Sequence, residues 1–246
     1  MSQTEQILNQ GYIAITGWAM VLNLVLIMCS LLLYVIWHRM QKNSVCVNDY
    51  QPIVQADIWA VGSTWICNVV VFVFGAFVWR EGYLTVDFTA QGVGIISGQV
   101  LVLILIIDFL MYCFHKLAHV QPLYRFIHQK HHEHIGVNAL SLFVLSPFEA
   151  LGFGVMLLAV LYVYPFHYLA VGIYLVVNVV WGTIGHFNKV ARLGNTGWVS
   201  WLGTASFHNR HHLEPQTNFG FYTTLWDRLF QTCRIKPFKG FSEKKT

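Results

Sequence analysis

The stretch Asp108-Phe-Leu-Met-Tyr-Cys-Phe-His115-Lys-Leu-Ala-His119-Val-Gln-Pro-Leu-Tyr-Arg-Phe-Ile-His128-Gln-Lys-His131-His132-Glu-His134 decides how the rest of the chain is read. It begins inside an apolar run and ends with six of the chain's twelve histidines packed into twenty residues. The His-x-x-His-His spacing of His128, His131 and His132 returns downstream at His208, His211 and His212. On a helix, residues three and four apart share a face, so His115 with His119, and each triplet, should present imidazoles to one side.

Upstream of this stretch the chain is apolar. Of its 246 residues, 56% are hydrophobic and 11% charged, against about 25% charged in an ordinary soluble domain. The apolar residues fall in blocks near 12–37, 58–79, 93–114, 148–164 and 167–185. A membrane-spanning helix needs roughly 20 such residues, so the expected fold is all-α, a polytopic membrane bundle of four to five segments. The run from Tyr12 to Trp37 is too long, and lacks the basic flank, to be a cleaved signal peptide. The run Val93 to Phe114 is about 33 Å long at 1.5 Å per residue, so His115 emerges where the hydrocarbon ends. The arms on either side of Tyr164-Pro165-Phe166-His167 are each short for a crossing. They read as two short spans or as a hairpin that dips in and returns, and both versions return His186 to the side of His115.

Lys and Arg number two in the loop 38–57, three in 115–146 and nine from 186 onward, with Arg80 alone on the other side. The positive-inside tendency therefore places the histidines and the C-terminus in the cytoplasm. One domain is expected, a membrane bundle carrying a histidine-rich helical cap built from 115–146 and 186–246. The basic residues lack an aromatic-interleaved pattern, so nucleic acid is not an expected partner. Cys29, Cys46, Cys67, Cys113 and Cys233 are scattered and read as small core hydrophobes, with neither a disulfide framework nor a thiolate zinc site.

Imidazole suits Zn, Cu, Fe and Ni, and eight or nine convergent imidazoles exceed the needs of one tetrahedral ion. The arithmetic points to two metals. No His-Glu-x-x-His occurs, which disfavours a zinc protease. Three isolated histidines, His38, His134 and His167, are expected at interfaces or on the surface. Asp108, alone inside its apolar run and two turns before His115, is expected to orient a ligand, because charges at that depth are rarely idle. Glu149 is expected to favour a helix N-terminus rather than take part in the chemistry. Phe148, Phe153, Tyr162, Tyr164, Phe166 and Tyr168 read as ordinary membrane-helix packing.

The sequence resembles the fatty acid hydroxylase and sterol desaturase superfamily, whose members carry His-x(3-4)-His and two His-x-x-His-His boxes beside membrane helices. Asp108 through His119 matches the first box. Ser146-Pro147-Phe148-Glu149, Gly185-His186-Phe187-Asn188 and Asn218 through Phe230 resemble accessory motifs. The likeness spans roughly 93–233. It implies a di-iron centre that uses O2 to hydroxylate or desaturate a membrane lipid, a fatty acyl chain, sterol or related isoprenoid. The ligands implied are His115, His119, His128, His131, His132, His186, His208, His211 and His212, with Asp108, Asn188 and Asp227 as outer partners. Several members have another histidine four residues before the counterpart of His186, where this chain has Gly182, which implies one protein ligand fewer and an open position or a different metal occupancy. No fused cytochrome b5 segment is read, so a separate electron donor, a cytochrome b5, ferredoxin or reductase, is implied. Two rivals are a non-catalytic relative with structural zinc in place of iron, and a metal transporter, which would carry polar ligands along its membrane helices. The C-terminal Lys244 and Lys245 are one residue off the dilysine retrieval spacing, so a bacterial inner membrane and the endoplasmic reticulum are equally compatible.

Overall fold

The computed structural model describes residues 10–40, 44–46, 50–134, 136–191 and 197–234; the C-terminal lysines lie outside them. Helices dominate. The long ones are α1 (Tyr12–Met40), α2 (Gln55–Arg80), α3 (Val93–Ala118), α6 (Pro147–Val163) and α7 (Tyr168–Gly185). All but α6 are long and apolar enough to cross a membrane. Their outward faces are large and apolar, as at Leu32, Phe74, Leu105 and Val176. Lipid is the solvent that fits such faces, because each exposed large side chain would cost about 1.5–3 kcal/mol in water. This is an integral membrane architecture.

Short elements form the cap: α4 (Leu123–Ile127), α5 (Gln129–His132), α8 (Ala205–Leu213) and α9 (Leu225–Leu229). Two strands, β1 (Ser44–Cys46) and β2 (Lys189–Ala191), pair antiparallel with Val45 opposite Val190. That pairing, and the bridge Tyr50 to Val137, hold the loop after α1 against the histidine segments. At the opposite end of the bundle Asp87 bridges to His167. His115 and His186 therefore lie on one side of the bundle.

Local chemistry sets the helix boundaries that matter for the site. Ser146 caps α6, its hydroxyl accepting from the Glu149 amide at 3.1 Å, with Pro147 in the first turn. This cap fixes Glu149 one turn inside the helix, facing the cap. Tyr164-Pro165 ends α6, and His167 starts α7 by accepting from the Leu169 amide at 3.2 Å. His167, expected at an interface or on the surface, is thus a buried cap at the end of a membrane helix. Its imidazole has two backbone partners, the second being the Thr89 carbonyl at 3.0 Å. The core packs α3 against α6 and α7 through Leu103, Ile107, Val160, Leu161 and Tyr174. Gly154 lets α6 approach α2 closely: a Cβ there would stand 2.5 Å from Val71.

Candidate metal centre

Nine imidazoles meet on the cap side of the bundle, in two groups. The first holds His115, His119, His128, His132 and His211, and the second His131, His186, His208 and His212; within each, the candidate ligand atoms lie within 4.8 Å of one another. Helical spacing explains the partition. Each His-x-x-His-His box sends its i, i+4 pair to one group and its middle histidine to the other. His128 and His132 join the first group and His131 the second, whereas His208 and His212 join the second and His211 the first. The pair His115 and His119, at the end of α3, completes the first group, and His186, just past α7, completes the second.

The hydrogen bonds fix which ring nitrogen faces inward. His115 Nδ1 lies 2.9 Å from the Phe219 carbonyl, His186 Nδ1 2.7 Å from the Gly182 carbonyl and His211 Nδ1 2.7 Å from the Thr217 carbonyl. His128 Nδ1 lies 2.6 Å from a carboxylate oxygen of Glu149. Carbonyls accept, so the Nδ1 atoms of His115, His186 and His211 carry the protons and their Nε2 atoms present bare lone pairs; burial pushes the Glu149 carboxyl up, and its ionised form, the one a neighbouring cation favours, gives His128 the same tautomer.

His115 Nε2 and His128 Nε2 are then 2.8 Å apart with no proton between them. Two facing lone pairs at that distance repel and call for a cation. The other inward separations run from 2.9 Å between His132 and His211 to 3.4 Å between His131 and His186. Two nitrogens roughly 2.0–2.1 Å from a shared ion, at angles near 90–110°, stand roughly 2.9–3.4 Å apart. The donor set fits metal ions.

Electrostatics point the same way. Burial and neighbouring rings hold the imidazoles neutral: His119 and His186 are pushed down to about 4, and His132 to about 3. His131, His208, His211 and His212 are pushed well below the usual histidine range, desolvation being the main cause. Neutral imidazole is the form that ligates. A polar depression of about 470 Å³, lined by Gln121, Tyr124, Arg125, Gln129, His132 and Glu133, opens beside the first group.

The outer partners differ from those the sequence suggests. Asp108 is fully buried, but its carboxylate accepts from the Tyr222 and Thr223 amides at 2.8 and 3.2 Å and from the Thr223 hydroxyl at 2.5 Å. Sharing a helix face with His115 does not put it in reach, because seven residues span about 10 Å of axis. Asp108 holds the 222–223 turn instead. Asp227 acts on a ligand at one remove: it accepts from the Phe219 and Gly220 amides at 2.8 and 2.6 Å, ordering the segment whose carbonyl holds His115. Asn188 is buried, and among the described residues no hydrogen bond joins it to a histidine.

Glu149, expected only to favour a helix start, does that and also orients His128. His134, expected at an interface or on the surface, is buried between Asp57 (2.8 Å) and the Ser141 hydroxyl (3.1 Å), tying the histidine segment to the start of α2. The sequence signal for both was available: a carboxylate one turn into a capped helix, and an aspartate just inside a membrane helix end. His38 is exposed, as expected.

Gly182 bears on the second group. Its carbonyl holds His186, and a Cβ built on it would stand 2.6 Å from Leu142 and 3.4 Å from Phe221. Apolar side chains fill the space beside it.

A fatty acid hydroxylase family model matches residues 100–232, just over half of the chain, and the match takes in all nine grouped histidines. The chain belongs to the fatty acid hydroxylase family. Cholesterol 25-hydroxylase of Rattus norvegicus is 28% identical over 200 residues, covering 77% of this chain and 65% of that protein. Delta(7)-sterol 5(6)-desaturase of Eremothecium gossypii is 25% identical over 147 residues, 60% of this chain and 40% of that one. Methylsterol monooxygenase 1 of Gallus gallus is 25% identical over 134 residues, 54% of this chain and 45% of that one. The chain therefore spans just under two thirds, or less, of the length of these three relatives. By their names these relatives are oxidoreductases. No solved structure matches significantly.

Proposed function

We propose that this protein is a membrane-bound oxidoreductase that hydroxylates or desaturates a lipid, a fatty acyl chain, sterol or related isoprenoid, using O2 and electrons from a separate donor such as a cytochrome b5, ferredoxin or reductase. In this reading His115, His119, His128, His132 and His211 hold one iron ion and His131, His186, His208 and His212 hold a second. Bound iron supplies the oxidising power that an unactivated C–H bond demands. The residues supply the rest. The carbonyls of Phe219, Gly182 and Thr217 and the Glu149 carboxylate keep four Nδ1 protons in place, so four Nε2 atoms stay aimed inward. Helices α3 and α7 carry His115 and His186 to the end of the apolar layer, where a lipid tail can meet the site. Asp227, through the Phe219 backbone, and Asp108, through the Tyr222–Thr223 turn, fix the loop beneath the first group. By the distribution of Lys and Arg the cap faces the cytoplasm, of a bacterial inner membrane or the endoplasmic reticulum, where soluble donors reach it.

The observation that carries this reading is the approach of bare nitrogens to 2.8 Å between His115 and His128, within a set of nine imidazoles. A second reading draws on the four nitrogens of the second group, a complete tetrahedral set for zinc; here the cap is a structural zinc site without turnover. Metal analysis of anaerobically purified protein separates the two. Two irons per chain with O2-dependent lipid oxidation support the oxygenase; tightly bound zinc without turnover overturns it.

A further inference from the structure

Helix α9 and the turn Gly197–Trp201 belong to the cap by sequence position, yet their outer surface is apolar. Leu229 is 63% exposed, Phe230 47% and Trp198 74%, with Leu225 and Trp201 beside them. The charged residues of the element, Asp227 and Arg228, are engaged within the unit. Asp227 points inward to the Phe219 and Gly220 amides. Arg228 lies 4.2 Å over the Trp201 ring and donates to the Ser200 carbonyl at 3.0 Å. The two pieces are one unit, joined also by the Thr224 amide on the Trp201 carbonyl at 2.9 Å.

The register against α3 gives the depth. Trp226 packs on Phe109 with ring centroids 4.7 Å apart, and Phe230 stacks on Tyr112 at 5.3 Å. Phe109 and Tyr112 precede His115 by six and three residues, which is about 9 and about 4.5 Å along the helix axis. Thus α9 lies beside the last two turns of the apolar run, not beyond it. Its surface continues the lipid-facing side of α3, where Leu101 and Leu105 are exposed.

We propose that α9 and the Gly197–Trp201 turn are seated in the bilayer, at the boundary of headgroups and acyl chains on the cap side. The occupant of this surface is lipid. Tryptophans favour that boundary, and helices there bury their apolar face about 5–10 Å. The exposed cations Lys116 and Arg234 flank the unit at headgroup level. One consequence concerns access: only two buried rings, Tyr112 and Phe219, separate Phe230 from His115, with centroids 6.1 Å apart from each other and Phe219 5.6 Å from His115. This seating stands apart from the reaction proposed above and does not depend on the metal.

The test is nitroxide accessibility in nanodiscs of phosphatidylcholine, on full-length chain with its five cysteines replaced by alanine and a metal content equal to that of the unaltered chain. A label at Leu229→Cys should show an O2-to-nickel-chelate collision ratio below that of a label at the deeper Leu105→Cys and well above that at the exposed Glu214→Cys. A ratio equal to that at position 214 overturns the proposal. So does protection from both probes, which would mean that a second copy or a protein partner covers the face. If the cysteine-free chain does not fold, the otherwise unaltered chain and its Trp198→Phe/Trp201→Phe variant serve. The fluorescence lost in the variant should be quenched by bromines near the headgroup end of the acyl chains and spared by aqueous iodide. Quenching by iodide alone overturns the proposal.

Discussion

The two histidine groups are built from the same parts and are not equally finished. Each takes an i, i+4 pair from one His-x-x-His-His box and a single histidine from the other. A third element then completes the first group with a pair, His115 and His119, and the second with His186 alone, because the corresponding earlier position is Gly182. Outer support follows the same division. In the first group His115, His128 and His211 are each held at Nδ1 by a protein oxygen. In the second, His186 is held, but the Nδ1 atoms of His131 and His212 are buried with no hydrogen-bond partner among the described residues. The first group is ordered by the fold, whereas the second depends more on whatever ion it holds.

The largest effect that can break this contrast is loss of a ligand. His211→Ala should abolish activity and remove metal from the first group only, and His208→Ala should do the same to the second. Metal counts per chain check both, and loss of both ions from either variant would show that the groups are not separable. Next comes Glu149→Gln, which keeps volume but weakens the acceptor of His128. Activity or metal affinity should fall about 10–100-fold, confined to the first group, read by activity and by competition with a chelator.

Smaller still is Asp108→Asn, which loses a charged acceptor of three hydrogen bonds away from the histidines. It should cost about 1–3 kcal/mol of stability, seen as a lower Tm, while the folded fraction keeps its metal. Gly182→Ala should cost about 1–3 kcal/mol by crowding Leu142, and Leu142→Ala in the same chain should restore part of it.

The mildest effect near neutrality is that of pH. Imidazoles with folded values near 4 (His119, His186) and 3 (His132) bind protons first in the unfolded chain, whose histidines titrate at about 6.5. Metal-free protein should therefore keep its full stability above about pH 6.5 and lose it progressively as pH falls toward those values. Melting curves across that range check the sign.

Much of the candidate site was legible because imidazole has few uses in such numbers: spacing picked eight of the nine residues that the fold brings together, and the family resemblance added His186. Orientation partners were not legible. Asp108 looked right by helical phase, yet phase says nothing of distance along the axis, and the carboxylate bonds a turn more than a hundred residues away in sequence. Glu149 and His134 looked incidental because their partners, His128 and Asp57, lie far from them in the chain.

For the opening stretch from Asp108 to His134, sequence by itself determined that an apolar helix hands over to clustered imidazoles at the end of the hydrocarbon layer. Hydrophobic length and the i, i+4 rule are local, so they need no knowledge of the fold. Only the tertiary structure decided that His131 leaves its neighbours for His186, His208 and His212, and that α9 lies beside Phe109 and Tyr112. Partition between two groups and depth along a helix are set by packing between distant segments, which no local pattern encodes.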